Sequence, residues 1–138
     1  MLKNKTVGGY LAFFAAAAAA VSSVVYLILY QATAAETVDR VFSWFTFGFM
    51  LAGGLTGIAG ELLRWGWVPL VSCGCMSVAL ANHVVEFAYP LADVLTKVPF
   101  FGGNYPLALT FTVIFGAVAV VSVIAAFMKH EKIRGGTQ

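Results

Sequence analysis

Four stretches of this chain, at about residues 7–30, 41–62, 67–89 and 105–128, are long enough and apolar enough to cross a bilayer. A span needs about 20 mostly apolar residues, because the hydrocarbon core is about 30 Å thick. Lipid offers no partner to a bare N–H or C=O. A spanning segment must therefore satisfy its own backbone as a helix, or close with others into a barrel. Barrel strands alternate apolar and polar side chains, and none of the four runs does so. The expected fold is an all-α integral membrane protein. It is one domain over residues 1–138, with four transmembrane helices in an antiparallel bundle.

Composition agrees. The chain is 61% hydrophobic and 10% charged, with a mean hydropathy of +0.91. A soluble domain is about half apolar and about a quarter charged. The net charge of +2 gives no basic face for nucleic acid. Lys3, Lys5, an apolar run and Ala32-Thr33-Ala34 imitate a secretory signal with its cleavage site. However, a signal core is about 7–15 residues long, and this run is a full span. An uncleaved first helix is expected.

Basic residues suggest an orientation. Lys3, Lys5, Arg64, Lys129, Lys132 and Arg134 would all fall on one side. By the positive-inside rule both termini are expected in the cytoplasm, in a plasma membrane of bacterial type. Trp65 and Trp67 would anchor the inner interface, and Tyr30, Tyr89 and Tyr105 the outer one. The second connection, about residues 61–66, is tight, so the second and third helices should be antiparallel neighbours. In the third connection, Leu91, Val94, Leu95 and Val98 recur at helical spacing. That predicts a short interfacial helix between the third and fourth spans, ended by Pro99 and followed by a turn at Gly102-Gly103-Asn104.

Lipid provides no hydrophobic drive for helix association, so small residues must let backbones approach. On the second span Ser43, Thr46, Met50, Gly53, Gly57, Gly60 and Arg64 fall on one face at steps of three and four. On the third span Ser72, Cys75, Ala79, Asn82 and Glu86 do the same. The two stripes are expected to meet as a packing seam, with Gly116 contributing from the fourth span. Gly53 and Gly57 form a G-x-x-x-G, a pattern that also suits self-association.

Asn82, His83 and Glu86 are the candidate ligand or ion site. Asn82 and Glu86 are four residues apart, His83 and Glu86 three, so each pair is within reach on a helix. A carboxylate beside an imidazole can hold a proton or a cation, and ionisable groups inside a membrane are functional candidates. If the third span is centred near Val78, Glu86 lies about 12 Å from the centre, His83 about 7–8 Å and Asn82 about 6 Å. Glu86 would then reach the outer interface. The competing view makes Asn82 and His83 interhelical glue. No metal or haem site is expected, since His130 falls on the opposite side of the membrane. Glu61 and Arg64 are expected to pair at the inner interface. Cys73 and Cys75 point about 200° apart on a helix and complete no zinc motif, so they read as packing residues.

No nucleophile triad, phosphate loop or acidic metal cluster is present in the sequence, and neither catalytic residues nor cofactors are expected. The favoured function is a small non-enzymatic membrane protein that assembles with itself or with a larger membrane partner, such as an accessory subunit of a transport system. The alternative is a small oligomeric transporter or channel that uses His83 and Glu86 for proton or cation coupling.

Overall fold

The computed structural model describes residues 6–33, 41–63, 65–97 and 104–128. They form four α-helices: α1 (Val7–Thr33), α2 (Trp44–Leu63), α3 (Val68–Thr96) and α4 (Tyr105–Phe127). All four are long and apolar enough to cross a membrane. The chain is an all-α membrane four-helix bundle.

Each helix packs on the next, α1 and α4 close the ring, and α1 and α3 touch only across a diagonal. Neighbours are antiparallel. Thr46 meets Asn82 near the start of α2, while Gly53 meets Ser72 further along it. On the other side His83 approaches Ala108, and Phe87 stacks on Tyr105. In each pair one residue number rises as the other falls, as a path of alternating up and down helices requires.

The core and the surface are both apolar. Tyr26, Tyr30, Met50, Met76, Phe111 and Phe115 are buried centrally, whereas Phe14, Leu70, Val85, Val113 and Phe127 point outward. A soluble bundle would give its outer face to polar groups. Here that face suits lipid.

Local chemistry fixes the helix ends. The α2 helix begins at Trp44, three residues later than the apolar run suggests. Ser43 takes the capping position: its C=O accepts from Phe47 N at 3.0 Å, and its Oγ lies 3.5 Å from Thr46 N. At the far end Trp65 N donates to Gly60 O at 3.1 Å, a closure that satisfies a terminal carbonyl. The α4 helix is capped by Asn104, whose side chain accepts from Leu107 N at 3.1 Å, with Pro106 in its first turn.

The third connection departs from expectation. There is no separate interfacial helix over Leu91–Leu95; α3 runs on through Pro90 to Thr96. A proline deletes one N–H and crowds the preceding turn, but membrane helices tolerate this when neighbours support the backbone. The side-chain phase also continues across it. Phe87 and Pro90 are buried and Leu91 is half-buried, at helical steps. Lys97, in the left-handed conformation at φ 55°, closes α3. Val98, Pro99, Gly102 and Gly103 lie outside the described residues, as do Ala34, Arg64 and the basic residues at 3, 5, 129, 132 and 134.

Candidate functional site

The three candidate residues on α3 do not form one cluster. Successive residues on a helix turn by about 100°, so Asn82 and His83 face different neighbours. Asn82 faces α2, where its Nδ2 donates to Ser43 Oγ at 3.1 Å and to Thr46 Oγ1 at 2.9 Å. The network continues into α1. Tyr26 Oη donates to Val41 O at 2.9 Å and accepts from Ser43 N at 3.1 Å. One tyrosine and one asparagine thus tie α1, the start of α2 and α3 together.

His83 turns the other way. It is fully buried, with Nε2 3.3 Å from Ala108 O on α4. A carbonyl can only accept, so that contact places the proton on Nε2 and leaves Nδ1 as a lone pair. Nδ1 has no hydrogen-bond partner among the described residues. The ring sits edge-on between Tyr26 and Phe115, at centroid distances of 5.6 and 5.3 Å. This is a closed aromatic chamber. Glu86 is half-exposed and has no hydrogen bond or ion pair among the described residues, to His83 or to any other group.

Small residues along the α2 face sit very close to their neighbours. A methyl added at Gly53 would lie 3.0 Å from Met76 Cγ, 3.1 Å from Ser72 O and 3.2 Å from Cys75 Cβ. One at Gly57 would lie 2.6 Å from Ser72 Oγ and 2.7 Å from Ala16 Cβ. At Gly60 it would collide with Val68. Ser72 Oγ donates to Gly53 O at 2.6 Å, and Ala79 is fully buried nearby on α3. Gly54, outside the α2 stripe, turns to α1 instead, where a methyl would meet Ala20 N at 2.7 Å and Ala16 O at 2.8 Å. Gly116 does not belong to this set. Nothing lies within 4 Å of a methyl added there, because its position on α4 looks away from the neighbouring helices.

Three residues have surroundings that the sequence reading missed. Tyr30, expected at the membrane interface, is buried within the bundle against Tyr26, Phe42 and Phe111. Tyr26 is the hub of the polar network described above. Their spacing of four residues, on the face that also carries Ser22 and Ser23, was the available signal. Glu61 is expected to pair with Arg64 at the inner interface, and Arg64 lies outside the described residues. Glu61 is only 3% exposed. It lines a cavity among all four helices with Ala12, Gly57, Pro69, Ser72, Met76 and Ser122. Glu61 follows Gly57 by four residues, and that spacing already placed it on the seam face.

No group of three or more metal-ligating side chains occurs among the described residues. No family model, no curated protein and no solved structure matches the chain.

Proposed function

We propose that this chain is a non-enzymatic membrane protein that works by assembly, with itself or with a larger membrane partner such as a transport system. One observation carries the reading: Tyr26, Ser43, Thr46, Ser72 and Asn82 act as internal fasteners, while the outer face is largely apolar and carries open glycines. Tyr26, Ser43, Thr46, Ser72 and Asn82 all make bonds that join helices or seat their ends. Gly53 and Gly57 serve as the internal seam between α2, α3 and α1. On the outside, Gly74, Ser77, Ala81 and Ala88 are exposed along α3. A methyl added at Gly74 would meet nothing within 4 Å. Exposed small residues at such spacing let a second helix come close, and this face is the proposed contact.

Transport through His83 and Glu86 has less support, since the imidazole is sealed among aromatic rings and the two side chains do not bond. We also propose that both termini lie on the cytoplasmic side of a bacterial-type plasma membrane, a reading that the distribution of Lys and Arg supports. Reporter fusions at each terminus test that placement.

The assembly reading is tested by single-molecule photobleaching of labelled protein in lipid bilayers, over a range of protein-to-lipid ratios. Dimers or larger species that Gly74→Leu disperses are expected. A protein that stays monomeric at every ratio, and that leaves its native membrane without a stoichiometric companion, would sink the proposal.

A further inference from the structure

The imidazole of His83 has a free atom that the assembly reading does not use. The side chain is fully buried. Among the described residues its one hydrogen bond joins Nε2 to Ala108 O, in the first turn of α4, at 3.3 Å. Nδ1 has no hydrogen-bond partner among the described residues. Tyr26 of α1 and Phe115 of α4 wall the ring, at centroid distances of 5.6 and 5.3 Å. The Tyr26 hydroxyl proton is already given to Val41 O at 2.9 Å, so it is not directed at Nδ1. The joint between α3 and α4 therefore closes over an imidazole with one bare lone pair.

A proton on Nδ1 would change the ring in two ways. It turns the lone pair into a donor, with no acceptor opposite among the described residues. It also adds a full charge, and aromatic walls replace only part of the water that such a charge loses on burial. The charged side chains among the described residues are Glu61, Glu86, Asp93 and Lys97. Glu86 is one turn along α3, half-exposed, and makes no bond to the ring. Asp93 and Lys97 lie about 15 and 21 Å further along the same helix. On α2, Glu61 is about 22 Å beyond Thr46, the residue that meets Asn82. Towards the ring, α1 presents Tyr26 and α4 presents Ala108 and Phe115, of which Tyr26 alone is titratable. Glu36, Asp39 and Arg40 of the first connection lie outside the described residues.

We propose that His83 is a proton-operated latch between α3 and α4. With the ring neutral the latch is shut. A proton on Nδ1 is accommodated when the start of α4 parts from α3 and water reaches the ring. Proton binding then holds the open form, since a ligand that favours one of two states shifts the population towards it. The open form takes up one proton that the shut form does not. The shut form is therefore favoured above the titration of a free imidazole, at about pH 6.5, and loses ground below it. For one proton the open fraction rises about tenfold per pH unit. Opening need not unfold the chain, because Ala108 belongs to the first turn of α4. The latch lies inside one bundle, so its failure would leave the assembly proposal untouched.

The test is amide hydrogen exchange of the protein in lipid nanodiscs, corrected for the intrinsic pH dependence of exchange. Between about pH 7.5 and about pH 5, opening of residues 108–115 should rise about 30-fold. The α2 amides around Gly53 and Gly57 should show no comparable rise. His83→Leu should abolish the response. His130→Gln, Glu36→Gln and Asp39→Asn should retain it. If His83→Leu does not fold, His83→Phe takes its place. If neither folds, nitrogen-15 spectra of histidine-labelled His130→Gln protein read Nδ1 directly. They should show a bare Nδ1 in the shut form and a protonated ring that grows with the open fraction. Protection that does not change with pH would overturn the proposal. So would an acid response that persists in His83→Leu or its substitute, that is lost in Glu36→Gln or Asp39→Asn, or that spreads evenly over all four helices. A ring that stays unprotonated while residues 108–115 open would overturn it as well.

Discussion

Asn82 Nδ2 lies 2.9 Å from Thr46 Oγ1, and this single contact joins the middle of α3 to the first turn of α2. With the second bond to Ser43 Oγ, it makes Asn82 a two-pronged clamp. Interhelical bonds of this kind are worth about 0.6 kcal/mol on average and up to about 1.7 kcal/mol in a membrane protein. Asn82→Ala is expected to lower stability by about 1–2 kcal/mol, because both prongs are lost and Thr46 Oγ1 loses a donor. Equilibrium unfolding in mixed micelles measures this. A cost near zero would show that water or lipid replaces the clamp.

The helix glycines divide sharply by position. Gly54→Ala would press a methyl against the α1 backbone at Ala16 and Ala20, and backbone cannot swing aside as a side chain can. Gly54→Ala and Gly57→Ala are each expected to cost about 2–3 kcal/mol, in the range of overpacking. Gly74→Ala and Gly116→Ala, with open space beside them, should be neutral or stabilising by up to about 1 kcal/mol through helix propensity. Tm values for the four variants, compared side by side, decide it.

His83 carries a buried lone pair with no donor among the described residues. Its Nε2 lies 3.3 Å from Ala108 O, a carbonyl that also accepts from Thr112 Oγ1 at 2.9 Å and so keeps a partner when the imidazole is replaced. His83→Leu should therefore hold stability within about 1 kcal/mol of the parent, allowing for imperfect repacking beside Phe115. A much larger loss would assign the imidazole a structural bond beyond its contact with Ala108. Glu86→Gln should also fold normally, since the half-exposed carboxylate has no described partner to lose.

Lys97 ends α3 in a left-handed conformation that costs a side-chain-bearing residue about 1 kcal/mol and glycine almost nothing. Lys97→Gly is expected to raise stability by a few tenths to about 1 kcal/mol, the gain being trimmed by the greater freedom of glycine in the unfolded chain. Chemical denaturation provides the readout.

The spans were legible because lipid imposes a simple requirement, and uninterrupted apolar runs are its direct signature. The close approach of α2 to α3 was legible as well, since Gly53, Gly57, Ser72 and Ala79 recur at helical steps on both helices. Direction around a helix was harder to read. Asn82, His83 and Glu86 are adjacent in sequence, yet a 100° turn per residue sends Asn82 to α2 and His83 to α4. The continuation of α3 through Pro90 was hidden for a different reason. The proline ring opposes helix formation locally, but packing of Phe87 and Pro90 inside the bundle outweighs one missing bond. Glu61 is buried in surroundings that α2 alone does not reveal, since it shares a cavity wall with Pro69 of α3 and Ser122 of α4.

Tyr26 bears on how the bundle is put together. Its hydroxyl holds both Val41 O and Ser43 N, two backbone groups just before the start of α2. A side chain of the preceding helix thus bonds both groups. The preceding helix therefore acts as a depth gauge for the second. Where α2 begins, and hence which of its glycines meet α3, is set by a residue already made.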